Sequence, residues 1–124
     1  MAGITFDTGA LIALSRGEKR MRTVLLAAQE RRAVITIPTA VIAEWWREDT
    51  KRSRMILART SVEPLSERVA KLAGAAIAAV PGSTPIDAVV MASAAQRGDV
   101  VLTSDFEDLE RLRGHFPEVQ ILRV

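Results

Sequence analysis

Four acids stand out in this sequence by their surroundings. Asp7 is the only charged residue between Met1 and Ser15, Glu44 the only one between Ala33 and Trp46, and Asp87 the only one between Leu72 and Gln96. Asp105 follows the apolar run Val100-Val101-Leu102-Thr103. A carboxylate among apolar neighbours is costly unless a positive charge or hydrogen bonds satisfy it. Several such carboxylates brought together repel one another and raise each other's pKa, and a divalent cation relieves that repulsion. Oxygen-only ligands favour Mg²⁺ or Mn²⁺ over zinc or copper. The chain has no cysteine and one histidine, His115, which excludes disulfides, thiol catalysis and multi-histidine metal centres.

The elements that must position these acids follow from periodicity and capping signals. Ile4-Thr5-Phe6 reads as a buried strand ending at Asp7, followed by a helix from about Gly9 to Glu30 with a break near Arg16-Gly17. Val34-Ile35-Thr36-Ile37 reads as a second strand, and Pro38-Thr39 opens a helix with Thr39 as its N-cap. That helix carries Glu44 and continues as an amphipathic stretch to about Arg59. Ser61 to Pro64 is a short third strand. Ser66 caps a helix with the apolar stripe Val69, Leu72, Ala73, Ala76, Ile77 and Val80, ended by Pro81-Gly82-Ser83. Thr84-Pro85 starts the next helix, with Asp87 in its first turn and Gly98 closing it. Val100 to Thr103 is the most convincing buried strand, followed by a helix from Phe106 to Arg113 and a last strand from Val119 to Val124. The alternation implies one domain over residues 1–124, a three-layer α/β/α fold with a mainly parallel sheet. Ligands of such sheets bind where the strand order reverses, at the carboxyl ends. If the first and fourth strands are neighbours there, all four acids converge on one mouth.

Each acid also has a structural alternative. Asp87 stands three residues after Thr84, and Asp108 three after Asp105, so both pairs fit helix capping. Glu44 can pair with Arg47 on a helix surface. Capping does not account for three acids each isolated within an apolar segment. Charge is distributed unevenly: residues 16–59 hold eleven of the seventeen Lys and Arg and five of the fifteen acids. Such a basic half suits a polyanion, or else forms solvated helix faces. Within it Arg47, Lys51, Arg52 and Arg54 are candidates to follow a polyanion's backbone. Trp45 and Trp46 are two of five aromatics; core packing competes with a stacking surface for bases or a groove for a partner helix. His115, beside Gly114, reads as a helix-end residue.

Phe6-Asp7-Thr8, Ala43-Glu44, Ile86-Asp87-Ala88 and Leu102-Thr103-Ser104-Asp105 together resemble the four signatures of PIN-domain ribonucleases. The length and the stretch Thr103 to Leu109 are similar to VapC-type toxins of bacterial toxin–antitoxin pairs. The resemblance implies that Asp7, Glu44, Asp87 and Asp105 hold Mg²⁺ or Mn²⁺ and that the metal activates water for phosphodiester cleavage. It implies supporting roles for Thr8, Thr103 and Ser104, with Asp108 as an auxiliary acid. It also implies an RNA substrate, a cognate antitoxin that blocks the site, and a homodimer. One departure is Gly9, where relatives often carry Ser or Asn.

Other readings compete. Asp7-Thr8-Gly9-Ala10 spells the aspartic-protease triplet, but those enzymes are built from hairpins, and this chain has few hairpin signals. A response-regulator receiver needs paired acids near the first strand and a lysine after the last; no lysine follows Lys71. A non-catalytic RNA-binding or regulatory PIN domain usually lacks one of the acids, and here all four are present. Apolar content of 48% and a mean hydropathy of +0.14 indicate an ordered domain. No unbroken apolar run approaches the length of about 18 residues of a membrane span. No export signal is visible at the N-terminus, so the expected location is the cytoplasm.

Overall fold

Five short strands, all parallel, form one sheet in the computed structural model, which describes residues 3–124. Met1 and Ala2, where the first apolar segment and the 1–124 domain range begin, lie outside the described residues. In chain order the elements are β1 (Ile4–Phe6), α1 (Thr8–Ser15), α2 (Lys19–Glu30), β2 (Ile35–Pro38), α3 (Thr39–Trp45) and α4 (Lys51–Ala58). They continue with β3 (Ser61–Glu63), α5 (Glu67–Ala79), α6 (Pro85–Arg97), β4 (Val100–Thr103), α7 (Phe106–Arg113) and β5 (Gln120–Arg123). The sheet order is β3-β2-β1-β4-β5, so the direction of winding reverses between β1 and β4. Right-handed crossovers then put α1 to α4 on one face and α5 to α7 on the other. This is the expected three-layer α/β/α architecture. With every strand parallel there is no hairpin among the described residues, which removes the aspartic-protease reading.

Register brings the site's strands together. Phe6 pairs with Leu102 across β1 and β4, and the Asp7 amide extends that ladder by donating to the Leu102 carbonyl at 3.2 Å. Asp7 and Thr103 therefore leave the sheet side by side. Phe6, Leu11, Ile37, Met91 and Val101 are fully buried beneath this edge, each burial stabilising by about 1.5–3 kcal/mol. Every residue from Ala88 to Ala94 of α6 is buried, and its alanines let the helix lie close to the strands.

Two helix expectations are corrected. The expected helix from Pro38-Thr39 to Arg59 is two helices, α3 and α4, separated by residues 46–50. Thr50 caps α4 by accepting from the Ser53 amide at 3.1 Å, so a local hydrogen bond outcompetes helix continuation. Thr39 is not the N-cap of α3; Pro38 holds that position, and the Thr39 hydroxyl accepts from the Leu65 amide at 3.1 Å. The break near Arg16-Gly17 stands as expected, with Gly17 in the left-handed region. Trp45 packs in the core and donates from Nε1 to Ser15 Oγ at 3.3 Å, while Trp46 meets it edge-on. His115 lies exposed just past α7, against Phe116. Among the described residues no helix is long and apolar enough to cross a membrane.

Candidate active site

Asp7 is the N-cap of α1, a role the sequence reading did not foresee, and both of its oxygens are engaged. Oδ1 accepts from the Ala10 amide at 2.8 Å, and Oδ2 accepts from the Thr103 hydroxyl. Thr103 Oγ1 in turn accepts from the Asp105 amide at 2.7 Å. One hydroxyl thus ties the end of β1 to the turn after β4. Asp7 is buried, and burial pushes its carboxyl up to about 6 from the usual 3.8. Its hydrogen bonds oppose that rise, and the charges of Asp105 and Asp87 add to it.

Asp87 enters the same neighbourhood from the other face of the sheet. It is the third residue of α6, behind Pro85, and its amide donates to the Thr84 cap at 3.2 Å. The capping alternative therefore holds for its backbone. Its half-buried carboxyl is raised from the ordinary value, mainly by burial, against the hydrogen bond to Thr84. Asp108, Asp105 and Glu44 push it up further. Glu44 projects from the last turn of α3, exposed, and accepts from the Thr8 hydroxyl at 2.5 Å rather than pairing with Arg47. Asp105 precedes α7 without a capping hydrogen bond from its side chain, and Asp108 is paired with Arg111 one turn later.

The five acids, Asp7, Glu44, Asp87, Asp105 and Asp108, thus share one electrostatic neighbourhood around the switch point. The charges that raise Asp7 and Asp87 are those of neighbouring acids, and among the described residues neither carboxyl is in an ion pair. Among the described residues no three acidic or histidine side chains close around a single point, because Asp7 and Glu44 are turned onto Thr103, Ala10 and Thr8. The donor set nevertheless fits a hard divalent cation: carboxylates and hydroxyls, with repulsion that a cation would relieve.

The basic candidates lie apart from this mouth. Arg47 turns back onto the carbonyls of Ala43 and Trp46, at 3.2 and 2.9 Å. Arg52 donates to the Ser15 carbonyl at 2.8 Å, and Arg54 pairs with Asp49 at 2.7 Å. Lys51 and Arg52 line an open groove of about 500 Å³ between α1–α2 and α4. That groove has Leu14, Leu25, Met55 and Ile56 as its apolar part. Sequence alone could not show it, because its two walls are more than twenty residues apart.

A parallel sheet with an acid cluster at its switch point defines the class: an α/β domain whose carboxylates gather at the carboxyl ends of its central strands. The profile of the PIN domain matches residues 4–114, and the chain belongs to that family of nucleases. Solved structures show the same fold. The chain is similar to one in the DNA-bound VapBC structure from Salmonella typhimurium, at 18% identity and a TM-score of 0.77, covering 99% of this chain and 98% of that one. It is similar to one in VapBC2 from Rickettsia felis bound to a promoter DNA fragment, at 12% identity and a TM-score of 0.78, covering 98% of each. A toxin–antitoxin complex from Klebsiella pneumoniae aligns at 21% identity and a TM-score of 0.70, over 94% of this chain and 95% of that one. No curated protein matches the sequence.

Proposed function

We propose that this chain is a metal-dependent ribonuclease toxin of the VapC type, restrained by a cognate antitoxin and active as a homodimer in the cytoplasm. The observation that carries the reading is the mouth between β1 and β4, where burial and neighbouring acids raise the carboxyls of Asp7 and Asp87 together. Fold likeness to chains of VapBC and other toxin–antitoxin complexes supports the toxin part.

Asp7, Glu44, Asp87 and Asp105 would hold Mg²⁺ or Mn²⁺, which supplies activation of water and stabilisation of the leaving oxygen in phosphodiester hydrolysis. Thr103 sets the distance between Asp7 and the Asp105 turn, and Thr8 holds Glu44 until a ligand competes for it. Asp108, its charge partly offset by Arg111, is the auxiliary acid that bears on Asp87. Arg47, three residues beyond Glu44, is the basic group best placed for the RNA backbone, with Lys51, Arg52 and Arg54 extending the path. The groove lined by Lys51 and Arg52 together with Leu14, Leu25, Met55 and Ile56 suits an acidic amphipathic segment of the antitoxin. Antitoxin and RNA would then compete for the same cations.

Purified protein should cut single-stranded RNA with Mg²⁺ or Mn²⁺ and stop in EDTA. Asp7→Asn, Glu44→Gln, Asp87→Asn and Asp105→Asn should each reduce cleavage by at least about 100-fold, the scale of losing one charge-stabilising group. Asp7→Asn should also relieve growth arrest in an expressing host. Equal cleavage in EDTA would overturn the reading.

A further inference from the structure

Gly9 occupies the second position of α1, where glycine weakens a helix relative to alanine. Its backbone does not lie in the left-handed region, so conformation does not demand it. Space does. A Cβ on Gly9 would stand 1.7 Å from Ser104 Oγ and 2.8 Å from Ser104 Cβ. The Ser104 side chain fills the volume that a side chain at position 9 would take. Ser104 is exposed, and its hydroxyl joins none of the bonds that tie Thr103, Asp7 and Asp105 together.

Gly9 and Ser104, each two residues or fewer from Asp7 or Asp105 in sequence, line an open cavity of about 330 Å³ along α1 and the start of α2. Arg16 and Arg20 line it, and Glu18 is the single acidic side chain among its lining residues. Arg20 donates to the Arg123 carbonyl at 3.1 Å, and Arg16 is exposed at the end of α1. A hydroxyl donor and a guanidinium lining one cavity, the hydroxyl one residue from the Thr103 link to Asp7, match a phosphate group in charge and hydrogen bonding.

We infer that the Gly9–Ser104 notch, with Arg16, binds a phosphate of the RNA strand next to the one that is cut. This rests on the nuclease reading above. Ser104 is here a substrate-binding residue, and Gly9 is the opening that lets its hydroxyl occupy that spot.

The test is steady-state cleavage of a single-stranded RNA in Mn²⁺, with thermal melting of each variant. Ser104→Ala keeps the Cβ and loses the hydroxyl. It should raise KM by up to about tenfold, the worth of one hydrogen bond to a charged group, with kcat within about twofold and melting unchanged. Arg16→Gln should raise KM similarly and flatten the salt dependence of binding by about one unit of log–log slope. Gly9→Ser alone overfills the notch and should raise KM, whereas Gly9→Ser combined with Ser104→Gly should recover the parent value by returning a hydroxyl from the opposite side. Parent KM in both Ser104→Ala and Arg16→Gln, while Asp7→Asn abolishes cleavage, would overturn the notch and leave the nuclease standing. Cleavage by Asp7→Asn at the parent rate would bring down the nuclease reading, and the notch with it.

Discussion

Two buried aspartates stand at opposite ends of the β1–β4 pair, and their surroundings differ. Asp99, just before β4, accepts from the Gly3 amide at 3.1 Å and from the Thr5 hydroxyl at 2.8 Å. Arg97 completes its shell, with Nε at 2.9 Å. The same guanidinium also reaches Glu63, Ser93 and Thr5, so one cation serves two acids and two hydroxyls. Asp7, at the other end, has hydrogen bonds from Thr103 and Ala10, and the charges that raise its carboxyl are those of Asp105 and Asp87. The first arrangement is complete within the chain and holds α6 to the sheet. The second has no ion pair to Asp7 among the described residues, and on the proposed reading a bound cation completes it.

The largest effect should come from breaking the complete network. Arg97→Met leaves Asp99 buried without its cation and Glu63 with only the Ser93 hydroxyl, a change that costs about 3 kcal/mol or more when the pair is buried. Chemical unfolding should show that loss as a lower denaturant midpoint. An unchanged midpoint would mean that the network is not what fastens α6.

Adding the missing charge to the other end should act in the opposite direction. Mg²⁺ or Mn²⁺ at a hundred times its dissociation constant should stabilise the parent by about 2.7 kcal/mol. The gain should shrink as pH falls below about 6, where protons compete for Asp7. Equal stabilisation of Asp7→Asn would place the ion elsewhere.

Removing a charge from the acid mouth should have a smaller effect of the same sign. The folded-state pKa of Asp7, about 6, lies above its ordinary 3.8, so the folded chain binds the proton more tightly than the unfolded one. Stability from this group therefore falls as pH rises from about 4 to about 6 and stays low above that. In EDTA at pH 7 to 8, Asp7→Asn should gain about 1–2 kcal/mol. That is the roughly 3 kcal/mol carried by such a shift, less the hydrogen bond weakened at Thr103. It should also flatten the pH profile over that window. A lower melting temperature than the parent in EDTA would show that the cap on α1 outweighs the repulsion.

The smallest effect is expected at Glu107, an exposed acid on α7 paired with Arg123 at 3.1 Å. Its own backbone and Arg123 hold its carboxyl below the usual range. Glu107→Gln should leave melting and metal response at parent values. A lost metal response would extend the mouth along α7.

Much of this was legible from local pattern. β4 and α6 announce themselves through β-branched runs, a Thr-Pro start and a glycine stop, all of which depend on neighbours in sequence. Isolation within apolar segments picked out Asp7, Glu44 and Asp87 and passed over Asp99, whose compensating Arg97 lies two residues away. That criterion separates the two kinds because an acid with a cation nearby in sequence can be satisfied locally, whereas an isolated one must find its partner through the fold. What sequence could not supply depends on distant contacts. The break between α3 and α4 turned on a cap at Thr50, and the role of Thr39 on the amide of Leu65. Gly9 looked like a missing side chain until tertiary packing placed Ser104, ninety-five positions later, in the same volume. Residue types alone established that the acids needed company. The reversal of strand order between β1 and β4 decided which acids would meet, because only there do two adjacent connections leave the sheet in opposite directions and open a crevice.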